Sequence, residues 1–233
     1  SEINHKANIF GFKKLGIEQI VSVSAVGSLK KQIKPRDILL PDQYFDRTKQ
    51  SQNHTFFGNG VVAHVSFADP TCLELRNDLV NVARKVVKTH FAGEEIEVFN
   101  SGTYVNMEGP AFSTRAESLF YKACGFDVIG MTSLPEAKLC REACICYQSV
   151  AMITDYDCWQ ESEEEVSVEM ILNNLNKNVV MAGEILKNWL VAARKERKCG
   201  CHKSLANAIV TAKEHIPPQT LKDLEIIIGP YIR

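Results

Sequence analysis

The chain has 233 residues, 45% of them hydrophobic and 24% charged, with a formal net charge of -1. These are the proportions of an ordinary globular domain, one able to bury roughly three-quarters of its unfolded surface. They exclude a basic surplus for nucleic acid or an anionic membrane, and neither a run of ~20 apolar residues nor a signal-peptide pattern is present, so a soluble, cytoplasmic protein is expected.

Residues 5–15 read as a helix, with Ala7, Ile9, Phe10 and Leu15 apolar. So early a helix after Ser1 implies that the front of a larger domain lies outside these residues. Ile20 to Ser24 read as a buried strand running into a small-residue turn, "SAVGSL". "RDILLPDQYFDRT" reads as a second strand interrupted by Pro41, which suits a strand end or an edge. Lys49 to Gly60 read as a long polar loop, and "VVAHVSFADP" as a strand leaving it. Leu73, Leu75, Leu79, Val82 and Val86 have the spacing of one helical face. "EIEVFNSGTYVNMEGPAF" is strand-like and ends in a turn. "TRAESLFYKACG" predicts a helix stopped by Gly125. A short strand "DVIGMTSLP" and a helix "PEAKLCREACI" follow, then a strand from Val150. The stretch from Val166 to Lys198 predicts one long amphipathic helix or a broken pair, with a cationic end suited to the helix dipole. This alternation predicts one α/β domain over residues 1–233, built on a mixed twisted β-sheet flanked by helices.

Six of the eight cysteines fall in "LCREACICY", "DCW" and "KCGCHK". Reduced, mostly buried thiols are the expected state. Some disulfide bonding and a zinc site that also uses His202 are the alternatives, although the spacing matches no standard zinc finger.

Three segments carry chemistry. In "VAMITDYDCW" an apolar strand meets Asp155 and Asp157, where open α/β sheets place ligands. Residues two apart on an extended chain face the same way, so the two carboxylates would share one cleft, and burial would raise the pKa of at least one. An acidic junction that merely caps a helix fits the segment equally well. "SAVGSL" offers backbone amides and a serine hydroxyl to an oxyanion, without a full phosphate-loop motif. "MEGPAFSTRAES" carries Phe112 just after a turn, as a stacking platform or as core, with Ser113 or Thr114 as the helix cap.

In order along the chain, "NHKANIFGFKKLG", "SAVGSL", "DQYFDRT", "HVSFADP", "EGPAFSTRAES", "MTSLPEAKL", "CICY" and "TDYDCW" resemble the methylthioadenosine phosphorylases, in the trimeric class of the purine nucleoside phosphorylase family. The resemblance spans nearly the whole chain. It implies phosphorolysis of 5′-methylthioadenosine to adenine and 5-methylthioribose 1-phosphate, with phosphate as co-substrate and no metal or organic cofactor. It also implies a homotrimer or a dimer of trimers. Ser24 and Ala25 match the phosphate-contacting turn, Thr132 a residue near phosphate and ribose, and Met131 one that packs on the ribose. Phe112 matches the aromatic over the purine. Thr154 is expected to bind substrate, Asp155 after it matches the proton donor to purine N7, and Asp157 matches the residue selecting a 6-amino group. Val168 and Ile171 match the lining of the 5′-methylthio pocket, and His64 a histidine reaching a neighbouring subunit's site. The "KCGCHK" pair resembles cysteines that form disulfides in some heat-stable members. The family's first segment, with an early phosphate turn and an arginine–histidine pair, has no counterpart here. Two other readings stand beside this one: a phosphorylase of 6-oxopurine nucleosides, and a nucleoside-binding protein without turnover.

Overall fold

The computed structural model describes residues 2–160, 168–193 and 196–232. In chain order its elements are α1 (His5–Lys14), β1 (Gln19–Ser28), β2 (Ile38–Leu39), β3 (Gln43–Arg47), α2 (Leu73–His90), β4 (Val98–Phe99), β5 (Thr103–Met107), α3 (Arg115–Ala123), β6 (Val128–Gly130), α4 (Ser133–Glu142), β7 (Cys146–Tyr156), α5 (Val168–Ala192), α6 (Pro218–Asp223) and α7 (Glu225–Ile228). The strands form one sheet in the order β3-β5-β6-β1-β7-β2-β4. β1 runs parallel to β7 but antiparallel to β6, and β7 is antiparallel to β2, so the sheet is mixed, as expected.

β7 is buried without a break from Cys146 to Thr154. Alternate side chains of a strand face opposite sides, so such a run needs cover on both. Cys146, Val150 and Met152 pack against Leu75, Leu79 and Val86 of α2 and against Met181, Ile185 and Trp189 of α5. Tyr147 packs on the other side with Ile9 of α1 and with Ala137 and Leu139 of α4. Each large apolar side chain buried this way contributes roughly 1.5–3 kcal/mol, which is why this strand anchors the sheet.

The helices at residues 5–15, 73–90, 115–123 and 133–142 stand close to where their periodicity puts them. Two expectations about strands and turns are corrected. "SAVGS" is not a turn, because β1 continues to Ser28 and pairs with β7 along its length. "VVAHVSFADP" forms no strand, making only the isolated bridges Gly58–Val61 and Ala63–Ile209. Val61 packs instead against Leu205, Ala208 and Ile227 of the C-terminal segment, which draws this stretch away from the sheet. "RDILLPDQYFDRT" breaks at Pro41 as expected, into β2 inside the sheet and β3 at its edge. On α2 the buried stripe is Leu75, Leu79, Val80, Ala83 and Val86, whereas Leu73 at the helix start is exposed. The long C-terminal pattern is one helix, α5, with no basic residue in its last turn. Arg194 and Lys195 of the expected cationic end lie outside the described residues.

Glu142, the last residue of α4, accepts hydrogen bonds from Thr55 Oγ1 and from the Phe56 N–H, each at 2.6 Å. These pin the loop after β3. Burial pushes the carboxyl up to about 7, against the pull of the two donors. The folded chain therefore keeps a proton that the unfolded chain releases above about pH 4.5. That stabilisation is fully present below pH ~4.5 and is lost as pH rises through about 7, a change on the order of 3 kcal/mol. Glu142→Gln is expected to flatten this part of the stability curve. Melting temperatures from pH 4.5 to 8 provide the check, and an unchanged slope would show that Glu142 does not set it.

Candidate active site

The inner wall of the site is built by small side chains at the ends of β1 and β6. Ser24 is buried, its hydroxyl 3.0 Å from the Tyr104 hydroxyl and 3.5 Å from Thr132 Oγ1. The structure places Ser24 and Thr132, both expected near phosphate, side by side. Ala25, next along the strand, faces the exposed side. Asn106, fully buried, holds the turn after β6. Its Nδ2 donates to the Met131 carbonyl at 3.2 Å and its Oδ1 accepts from the Leu134 N–H at 3.0 Å. A cis Gly109–Pro110 turn lies on Met131, with Gly109 at φ +70°. A Cβ at Gly109 would stand 2.7 Å from Met131 Sδ, so both space and backbone favour glycine there. Thr114 caps α3 in a capping box with Glu117, and Phe112 projects from the turn before it, 83% exposed.

A cleft of about 830 Å³ opens here, lined by His5, His54, Phe112, Met131 and Thr132, among others. His5 and His54 come from α1 and from the loop after β3. Burial lowers the pKa of each, and each Nδ1 is buried without a hydrogen-bond partner among the described residues. Buried, unsatisfied ring nitrogens beside a cleft are poised for a ligand. The sequence reading missed both, because a lone histidine in a polar loop or on a short helix carries no pattern.

Asp155 and Asp157 stand beyond the lining of this cleft, at the carboxyl end of β7. There the ladder slips: Val26 pairs with Ile153 but Gly27 with Asp155, leaving Thr154 as an extra residue. The bulge is braced by α5, where Asn178 Nδ2 donates to the Ile153 carbonyl at 2.8 Å and Asn174 Nδ2 to the Thr154 carbonyl at 2.9 Å. Thr154 is buried and its hydroxyl lies 2.6 Å from Asp155 Oδ1, which makes it a support for that carboxyl. Burial raises the pKa of Asp155, opposed by the Thr154 hydroxyl and aided by the charge of Asp157. Burial also raises Asp157, against Ser118 and the Cys158 N–H, and its Oδ2 has no hydrogen-bond partner among the described residues.

The loop carrying Asp157 is tied on both sides. Trp159 Nε1 donates to the Ser28 carbonyl at 2.8 Å, and Lys122 Nζ sits 3.3 Å above the indole ring. Cys158 Sγ donates to the Ser113 carbonyl at 3.4 Å, beside Phe112. Gly27 also faces this loop, since a Cβ there would lie 3.5 Å from that of Asp157. The aspartates and the Ser24–Thr132 pair are thus about three residues apart along β1, roughly 10 Å. Hydroxyl donors stand at one point along β1, and two half-buried carboxyls of raised pKa stand near its end. The hydroxyls can hold an oxyanion and the carboxyls can protonate a nitrogen base.

His64 is exposed, its backbone N–H bonded to the Ala208 carbonyl, and it is not in the cleft lining. Val168 and Ile171 fall in the first turn of α5, and their side chains lie outside the described residues.

Comparison with known proteins gives consistent results. The model of the phosphorylase superfamily matches residues 2–190. The S-methyl-5′-thioadenosine phosphorylase of Geobacter sulfurreducens is 50% identical over 232 residues, covering 100% of this chain and 78% of that protein. That of Koribacter versatilis is also 50% identical, over 99% of this chain and 76% of its own length. Among solved structures, a methylthioadenosine phosphorylase from an antarctic soil metagenomic library superposes with a TM-score of 0.88 at 43% identity, over 97% of this chain and 77% of that one. A mutant adenosine/methylthioadenosine phosphorylase from Schistosoma mansoni, in complex with methylthioadenosine, gives 0.74 at 36% identity, over 84% and 72%. With the family model spanning most of the chain and half of this chain's residues shared with a relative across 100% of the chain, this protein belongs to the phosphorylase superfamily.

Proposed function

We propose that the chain phosphorolyses the N-glycosidic bond of 5′-methylthioadenosine, giving adenine and 5-methylthioribose 1-phosphate. The observation that carries this reading is the pair Asp155 and Asp157, held half-buried with raised pKa on a braced bulge, in a chain half identical to enzymes of that name. A phosphate oxygen attacks the anomeric carbon and the bond to N9 breaks. Its electron pair passes to the purine, and Asp155 supplies a proton to N7. The transition state is oxocarbenium-like, so catalysis rests on placing phosphate and stabilising the leaving base. Ser24, the backbone at Ala25, and Thr132 hold phosphate, Met131 packs on ribose and Phe112 covers the purine. Val168 and Ile171 line the methylthio pocket. The reaction uses no metal or organic cofactor.

Asp157 favours a 6-amino over a 6-oxo purine, because a carboxylate accepts from an amine and repels a carbonyl. Adenine release from methylthioadenosine with and without phosphate tests the reading, in this chain and in one extended to the length of its relatives. Release that depends on phosphate and exceeds turnover of inosine is expected. Phosphate-independent release, or faster turnover of inosine, would overturn it.

The working form is a trimer or a dimer of trimers. Phe112, before α3, and Leu119 and Phe120 on α3 are 83%, 49% and 58% exposed, and exposed apolar side chains of this kind support an interface. His64, exposed and outside its own cleft, is then free to complete a neighbour's site. Light scattering alongside activity is expected to find no active species smaller than three chains. A fully active monomer would rule this assembly out.

A further inference from the structure

Outside the cleft lining, four thiols converge. The Sγ atoms of Cys72, Cys146, Cys199 and Cys201 all lie within 4.8 Å of one another, and that of Cys146 is 3.3 Å from that of Cys199. None is disulfide-bonded, and a disulfide would hold its sulfurs about 2.05 Å apart. Four sulfurs bound to one zinc ion at about 2.3 Å sit at the corners of a tetrahedron with edges of about 3.8 Å. The Cys146–Cys199 pair is about half an ångström closer than that value and no pair is wider than 4.8 Å, so small side-chain shifts would seat the ion. We propose that these four cysteines form a structural tetrathiolate zinc site.

The cradle is preformed. Cys72 caps α2 and its N–H donates to the Tyr147 carbonyl at 2.9 Å. Cys146 opens β7 and its N–H donates to the Glu18 carbonyl at 2.9 Å. The turn bearing Cys199 and Cys201 is fixed by Glu74, whose Oε2 accepts from the Lys198 and Cys199 N–H groups at 3.0 and 2.9 Å. Such outer contacts hold ligands in place before a metal arrives. Zinc with four thiolates carries two net negative charges. Arg197 lies against Cys146 and donates to the Cys144 carbonyl at 3.1 Å, bringing a cation to the site. A cleft of about 550 Å³, lined in part by Lys198 and Arg141, gives a path from solvent. Soft sulfur donors select zinc over magnesium or calcium, and a closed four-ligand site has no position for substrate.

The spacing of the cysteines hid this site. Cys140, Cys144, Cys158 and His202, which the sequence groups with the others, do not join it. Cys72 does, brought in from the front of α2. Cys146 and Asp155 are nine residues apart on one strand, roughly 30 Å, so the metal acts on stability and not on the reaction. It fastens the segment after α5 to the sheet.

The protein, purified without a histidine tag or chelator under anaerobic reducing conditions, is expected to carry about one zinc per chain by elemental analysis. Replacing it with Co2+ is expected to give the visible absorption of a tetrahedral tetrathiolate. Stripping the metal is expected to lower Tm by about 5–10 °C, restored by Zn2+ but not by Mg2+. Cys201→Ser should lose the cobalt spectrum, and Cys124→Ser, exposed and outside the cluster, should keep it. The cobalt titration of the unsubstituted protein reads the site even if a variant fails to fold. Iron in place of zinc overturns the proposal. So does metal-free protein that gives no tetrathiolate spectrum with Co2+, whether its cysteines titrate as disulfides or as free thiols.

Discussion

Asp155→Asn is expected to lower kcat/KM by about 10²–10⁴-fold on methylthioadenosine and on inosine alike, since loss of a general acid has that range of cost. Both substrates leave as a purine anion unless N7 is protonated, and the variant amide has no acidic proton to transfer. The carboxyl is suited to the task because burial holds its pKa above the usual range, with the Thr154 hydroxyl opposing and the Asp157 charge adding to it. In the unsubstituted enzyme kcat/KM should therefore fall as pH rises through that raised pKa, and the Asn variant should lack this limb. Rates on both substrates across pH decide the matter. A variant with full activity and the original pH profile would make Asp155 structural.

Asp157→Asn is expected to do something different. Its carboxylate offers an acceptor to a 6-amino group, and Oδ2 is buried without a partner among the described residues, waiting for a donor. An amide at the same place can instead donate to a 6-oxo group. A hydrogen bond to a charged group is worth roughly 1.5–3 kcal/mol, so kcat/KM on methylthioadenosine should drop about 10–10²-fold. The ratio of inosine to methylthioadenosine turnover should rise, because a site built for one hydrogen-bonding pattern rejects its complement. Equal losses on both substrates would remove Asp157 from the choice of base and leave it a role in holding the loop.

The place of the two aspartates at the end of a buried strand was legible in the sequence, because a long apolar run there meets acids. The helices were legible through their 3.6-residue spacing. What was hidden depended on pairing across the chain. "SAVGSL" looks like a turn by composition, yet β7 lies beside it and recruits it as strand. The stretch 61–70 looks like a strand, but the C-terminal segment captures Val61. The bracing by Asn174 and Asn178 is invisible in sequence, since asparagines on an amphipathic helix read as solvent-facing. The four-thiol cluster was scrambled for the same reason: C-x-C announces two ligands, and the topology alone brings Cys72 to them.

The bulge at Thr154 has a consequence for how this site can change. Side chains on a strand alternate, so the extra residue sets which face every later one occupies. Substituting Thr154 would disturb one support of Asp155. Deleting it would close the ladder and turn Asp155 and Asp157 together to the opposite face, putting Tyr156 in their place. The chemistry at the end of β7 is thus stored partly as a count of residues.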